Sequence, residues 1–290
     1  MTDEARALSQ ADAIPHVPFE AYRETFERFF HLDRSASGVL TARMHTDGGP
    51  VVWSLAIHRA IHQLTTMVGQ DAETEVFVFG GTGDEFVATL HEELAASTVE
   101  SLVAGIYDNF YYDGANICEG LVSDVEVPTI GVINGPGFHT ELALLCDITI
   151  ASDDAVIIDP HLPANLVPGD GIQTALRAAL GYKRATYAML TSQAFDAQSA
   201  LEAGLVNEVH PKDRVYERAR EIAEDLARRP RTVRRITTQV LRAPLKEALT
   251  RDLRGDLGQE LFALLASMAD PDTARIKSIM DDLGGGSASS

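Results

Sequence analysis

The 290-residue chain has little cysteine, one tryptophan, few aromatic residues and a shortage of positive charge. Each scarcity removes a class of protein. Two cysteines, Cys118 and Cys146, cannot build a disulfide scaffold and have no metal-ligand spacing. They read as buried structural thiols in a reducing compartment, so a cytoplasmic location is expected. No run of about 18 apolar residues occurs, so no membrane span is expected. The opening MTDEARALSQADA is acidic and polar, unlike a signal or transit peptide. Lys and Arg number 24 against 43 Asp and Glu, a net charge of −19 that repels phosphate backbones and argues against a nucleic-acid partner. Two readings fit that acidity, solubility and a halophilic adaptation. Among motifs, no GK[ST] follows Gly80-Gly81-Thr82-Gly83, and there is no GxSxG elbow. His58 and His62 share a helical face, but residue 59 is Arg59 where HExxH needs glutamate, so a packed or solvated pair is expected rather than a metal site.

What is present alternates. Hydrophobic residues make up 45%, ordinary for a globular chain. Strands are predicted at 38–44, 75–79, 129–133 and 147–151, with helices at 55–68 and 141–146 and a mixed helical region up to about Val122. Buried strands alternating with helices imply an α/β fold with parallel pairing. Beyond about Ala194 the chain turns α-rich, with helices at 199–203 and 214–228 and a third from Pro230 to about Leu241; Gly255 interrupts the stretch from Pro244 to Met268. The expected division is a loose arm at 1–18, a core at 19–205, a helical C-terminal region at 206–283 and a flexible tail at 284–290. The arginines at 228, 229, 231, 234 and 235 are expected to meet carboxylates.

Two segments are suited to chemistry. The strand at 129–133 runs into Asn134-Gly135-Pro136-Gly137, Phe138, His139, Thr140 and Glu141. Glycines permit a sharp turn there, and the following helix start offers unpaired N–H groups to an anionic oxygen. His139 at that turn either caps it or donates to a developing enolate. The second segment, DPHLPANLVPGDG at 159–171, is an irregular loop holding His161 and Asp170. A carboxylate on one imidazole nitrogen raises the basicity of the other, so the two form either a water-activating dyad or a helix-capping Asp beside an exposed histidine.

The segments VPTIGVINGPGFHTELALLCDITIAS, DPHLPANLVPGDG and LTSQAFDAQSALEAGLVNEV, in this order within about 38–268, resemble the crotonase (enoyl-CoA hydratase/isomerase) superfamily. The resemblance implies a spiral of ββα repeats with a helical C-terminal region, assembling as a homotrimer or a dimer of trimers. Departures are informative. Glu141 keeps the position of the hydratase's first glutamate, but the second falls at His161, and Asp170 replaces a glycine. Ala88 would supply an oxyanion-hole N–H, although the glycine after it is lost. These departures resemble the β-diketone hydrolase branch typified by 6-oxocamphor hydrolase, which cleaves a C–C bond between two carbonyls without CoA. That likeness implies His161 with Asp170 as the water-activating pair and His139 as the enolate-stabilising histidine. It further implies Trp53 and His58 after the first strand, Glu260 as a late carboxylate, and an HT[DE]G element at His45-Thr46-Asp47-Gly48.

The mechanism so implied is a retro-Claisen hydrolysis of a small-molecule 1,3-diketone, with no metal or organic cofactor. His139, His161, Asp170, Glu260 and His58 are the expected catalytic set. Trp53, His45, Ala88, Phe138 and Glu141 are the expected substrate-binding set, with Phe110, Tyr111 and Tyr112 lining an apolar pocket. Two rivals stand beside it: a CoA-thioester enzyme with Glu141 as base, and a catalytically silent scaffold.

Overall fold

The computed structural model describes residues 16–269, so most of the expected arm and all of the 284–290 tail lie outside the described residues. The strands are β1 (Phe30–Arg34), β2 (Val39–Met44), β3 (Val51–Trp53), β4 (Val76–Gly80), β5 (Val87–Leu90), β6 (Thr129–Ile133), β7 (Ile148–Ser152), β8 (Val156–Ile157), β9 (Phe195–Asp196) and β10 (Glu208–His210). One six-stranded sheet runs β1-β2-β4-β6-β7-β10. Only β1 pairs antiparallel; the other four pairings are parallel. VFVFG in β4 and TIGVI in β6 are buried at every position, as expected of parallel strands covered on both faces.

The helices are α1 (Phe19–Phe26), α2 (Leu55–Gln70), α3 (Glu92–Ala95), α4 (Val99–Gly105), α5 (Asp113–Glu119), α6 (Glu141–Leu144), α7 (Ile172–Thr191), α8 (Ala197–Ala203), α9 (Val215–Ala227) and α10 (Arg231–Ala269). Between α4 and α5, and again after α5, the backbone widens into π-helical turns at Ile106–Tyr112 and Gly120–Asp124. One face of the sheet packs against Val215, Ala219 and Ala223 of α9. The opposite face carries the larger core, which includes Ile57, Ile61 and Leu64 of α2 and Ile117 and Cys118 of α5. Among the described residues no helix is long and apolar enough to cross a membrane.

The C-terminal expectation needs a correction. The chain from Arg231 to Ala269 is one helix with Pro244 inside it, neither ending near Leu241 nor breaking at Gly255. Proline in a helix interior costs about 3 kcal/mol, and tertiary packing on both sides of it offsets this. Before it, the buried Arg242 donates to Asp147 and to the carbonyls of Val125 and Val127. After it, Leu249, Leu253, Leu257 and Leu261 form a buried stripe at intervals of one helical turn, each contributing roughly 1.5–3 kcal/mol. The arginine cluster meets carboxylates, Arg228 and Arg229 at Asp225 and Arg231 and Arg234 at Glu75.

Candidate active site

Parallel pairing brings the C-terminal ends of β4 and β6 side by side, and Asn134 fastens them. Its Oδ1 accepts from the Gly81 N–H at 3.0 Å, and its Nδ2 donates to the carbonyls of Gly83 and Glu85. Gly131 lets the turn beyond β6 fold back closely, since a Cβ there would lie 2.3 Å from the Ala143 carbonyl oxygen. That turn holds His139 at φ 55°, a left-handed conformation that costs a non-glycine residue about 1–3 kcal/mol. The strain aims the imidazole into the molecule. Trp53, at the end of β3, stacks on it with centroids 3.9 Å apart, and His58, in the first turn of α2, meets Trp53 edge-on.

The His139 Nδ1–H donates to Glu141 Oε1 at 2.7 Å and lies 3.4 Å from Asp170 Oδ2. On the other side of the same carboxylate, His161 Nε2 is 3.7 Å from Asp170 Oδ2 and 3.8 Å from Glu260 Oε1. Asp170 therefore lies between two imidazoles. Its other oxygen accepts from the Ile172 N–H at the start of α7, so Asp170 serves that helix start as well as facing both rings.

The expected His161–Asp170 pairing is corrected in one respect. The carboxylate in hydrogen-bond contact with His161 is Asp159, whose Oδ1 accepts from Nδ1 at 2.7 Å and from the His161 backbone N–H at 3.1 Å. Asp159 escaped sequence reasoning, although an Asp two residues before the histidine has a local signature in its capacity to accept from the N–H of residue i+2.

The electrostatics follow from burial and proximity. Burial disfavours the imidazolium of His161, yet Asp170, Asp159 and Glu260 outweigh it and raise its pKa to about 10. His139 behaves alike: burial opposes its charge, and Glu141 and Asp170 lift it to about 9. Burial works against the Asp170 carboxylate, but the two histidines hold it well below the usual range. Glu260 is raised to about 8 by burial and by the Asp170 charge. His58, lowered to about 4 by burial and by His139, stays neutral.

These groups converge on one cavity of about 720 Å³. Trp53, His58, Phe138, His139, Glu141, His161, Asp170 and Glu260 all line it. Phe110 lines it too, contributed by the first π-helical turn. Leucines from α3, α4 and α10 complete an apolar wall, and the described lining contains no lysine or arginine. The donor atoms of His139, Glu141 and Asp170, and those of His161, Asp170 and Glu260, lie within 4.8 Å of one another. That spacing would suit a small divalent cation; His139 and Glu141 are already hydrogen-bonded to each other, whereas His161 Nε2 lies beyond hydrogen-bond distance of Asp170 and Glu260.

Other expected residues fall elsewhere. His45 is not among the residues lining the cavity: it stacks on His31 at 4.0 Å, and its Nε2 donates to the Glu27 carbonyl at the end of α1. Its neighbours form a tight turn, with Asp47 and Gly48 both at positive φ and Thr46 bridging to Gly49. The HTDG element is thus a structural corner. Ala88 is also absent from the lining; it is the residue skipped where the β3–β5 register slips. Tyr111 and Tyr112 do not line the cavity either, and Tyr112 packs edge-on against His62. His62 Nδ1 lies 3.4 Å from Asp113 Oδ1.

A family model described as enoyl-CoA hydratase/isomerase matches residues 70–271. The chain belongs to this crotonase family. The α/β architecture with its parallel-rich sheet and helical C-terminal region is the family's. A probable peroxisomal enoyl-CoA hydratase from Arabidopsis thaliana is 29% identical over 79% of this chain and 86% of its own length. The 2,3-dehydroadipyl-CoA hydratase of Escherichia coli is 34% identical over 49% of this chain, and the match spans 56% of that enzyme's length. Among solved structures, a β-diketone hydrolase from the cyanobacterium Anabaena, bound to (S)-3-oxocyclohexyl acetic acid, superposes with a TM-score of 0.79. It is 32% identical and covers 87% of this chain and 99% of its own. An enoyl-CoA hydratase/isomerase from Mycobacterium paratuberculosis, 23% identical with a TM-score of 0.74 over 88% of this chain and 98% of its own, shares the fold.

Proposed function

We propose that this crotonase-family enzyme hydrolyses the C–C bond between the carbonyls of a cyclic 1,3-diketone, without CoA, to a keto acid. The observation that carries this reading is the placement of two imidazoles around Asp170 in a largely apolar cavity. In the reaction, His161 Nε2 takes a proton from water as the oxygen adds to one carbonyl carbon. The tetrahedral oxyanion collapses to a carboxylic acid, and the breaking C–C bond leaves its electron pair on the enolate of the other carbonyl. His139 holds that enolate oxygen through Nε2, since Nδ1 is committed to Glu141 and Asp170. The proton carried by His161 returns to the enolate carbon, so the sum is diketone plus water to keto acid. Glu260, 3.8 Å from His161 Nε2, adds negative charge beside that ring once ionised, and neutral His58 and Trp53 hold the ring of the substrate.

Three further points support the reading. Glu141, which a CoA hydratase would need free as base, is 4% exposed and bonded to His139. The described lining offers no lysine or arginine to the phosphates of CoA. The Anabaena β-diketone hydrolase holds a ring ketone with a carboxylic acid arm, the type of product that water-driven cleavage of a bicyclic 1,3-diketone yields. We further propose a cytoplasmic homotrimer or dimer of trimers.

The test is incubation with cyclic and bicyclic 1,3-diketones, without CoA or added metal. Loss of diketone absorbance should accompany a product heavier by one water, and both should vanish in His161→Ala. Hydration of crotonyl-CoA with no diketone consumed would move the assignment to the CoA reading, which the retained position of Glu141 and the names of the sequence relatives favour.

A further inference from the structure

The Asp170 carboxylate stands 3.7 Å from His161 and has one oxygen engaged at the start of α7. It acts on His161 as a nearby charge. Asp159 is placed differently. Its carboxylate is 3% exposed and touches His161 at two points, the Nδ1–H and the backbone N–H. Pro160 stands between the two residues, and its ring restricts the backbone on either side. The loop is closed beyond them as the Ala164 N–H donates to the Pro160 carbonyl and the Leu166 N–H to the His161 carbonyl at 2.7 Å. The second Asp159 oxygen is buried with no hydrogen-bond partner among the described residues, so the local structure directs this carboxylate to the imidazole.

We propose that Asp159 is the positioning residue of the site: it keeps a proton on His161 Nδ1 and turns Nε2 toward the reacting water, while Asp170 supplies charge to both imidazoles. The inference deepens the diketone-hydrolase reading and rests on it for its kinetic consequences, though not for the hydrogen bond itself. The groups facing His161 are Asp159 on its own loop, Asp170 before α7, Glu260 on α10, and His139 across Asp170. Replacing Asp159 by asparagine removes one negative charge and can present an amide N–H to Nδ1, which favours the tautomer with its proton on Nε2.

The first experiment needs no substrate. In the wild-type protein, NMR of the His161 ring should show a downfield Nδ1 proton with a through-space contact to the Asp159 methylene. Asp159→Asn should abolish that signal, and Asp170→Asn should retain it. A contact to the Asp170 methylene instead, or a signal lost only in Asp170→Asn, overturns the proposal. The second experiment is kinetic. In Asp159→Asn, kcat should fall by about 10²- to 10⁴-fold with little change in KM, the scale reached when a histidine loses its tautomer-setting carboxylate. The pH optimum should move down, because His161 loses a neighbour that raises its pKa. Added to His161→Ala, the same change should cost nothing further. Unaltered kcat and pH profile in Asp159→Asn overturn the proposal. A wild-type protein inert toward diketones whose Nδ1 proton still depends on Asp159 would instead sink the functional reading and leave the hydrogen bond in place.

Discussion

The two imidazoles of the cavity make an instructive pair. His161 is buried and His139 half-buried, both have raised pKa values, and both face Asp170. They are held by different means. His139 sits at φ 55° on the turn after a central strand, with its ring fixed by Trp53 on one face and Glu141 at its edge. His161 sits in a proline-rich loop and is fixed by Asp159, which bonds its backbone and its ring together. A shared charge thus makes two histidines similarly basic, and local anchoring gives them different jobs. The ring in a π-stack suits the passive role of holding an oxygen. The ring with a carboxylate behind Nδ1 and an acidic wall before Nε2 suits proton transfer.

The largest expected effect removes one member of the pair. His161→Ala should lower kcat toward diketones by about 10³-fold or more, the scale of a lost general base. Activity within tenfold of wild type would refute its role. His139→Ala should cost about 10²-fold in kcat, as losing an oxyanion donor does. It should also weaken binding of the keto acid product by calorimetry, whereas His161→Ala should change that binding less. Equal binding losses would erase the distinction between the two rings.

The pH profile sharpens the same comparison. His161 must be neutral and His139 protonated, and their values of about 10 and about 9 place the optimum of kcat/KM on the alkaline side. The two limbs belong to the coupled pair rather than to either ring. Asp170→Asn removes a charge that raises both, so its optimum should fall further toward neutral than that of Asp159→Asn. An optimum that does not move in Asp170→Asn contradicts the shared-charge account.

Smaller effects separate the site from its support. Leu253→Ala, at a fully buried position of α10 outside the cavity lining, should cost about 2–5 kcal/mol in denaturant unfolding while kcat stays within about twofold. His45→Ala should cost about 1–3 kcal/mol of stability, by leaving the Glu27 carbonyl without its donor, and should leave turnover nearly unchanged. A large kcat loss in His45→Ala would restore this residue to the site.

Much of the molecule was legible in the residue order. The strand at 129–133 is observed at those limits, because five consecutive buried residues ended by Asn-Gly-Pro-Gly leave little alternative. The helix read at 55–68 spans Leu55–Gln70, capped by Ser54. Short-range chemistry was less legible where context overrides propensity. Pro244 and Gly255 were read as breaks, yet a buried arginine and a leucine stripe carry the helix through both. The HTDG element resembled a site motif but folds as a corner, since its histidine serves the end of a neighbouring helix.

By itself, the sequence determined the α/β alternation, the family, and which side chains were available for chemistry, because those follow from patterns among near neighbours in the chain. Which partner each side chain took was decided by the tertiary structure. Asp159 lies two residues before His161 and Asp170 nine after it, and Glu260 is far from both. The local fold of the 159–171 loop made one aspartate the hydrogen-bond partner, and its tertiary placement made the other a charge shared by two rings and raised the pKa of a distant glutamate. The physical reason is that hydrogen bonds and charge interactions depend on ångströms in space, which spacing along a chain does not encode.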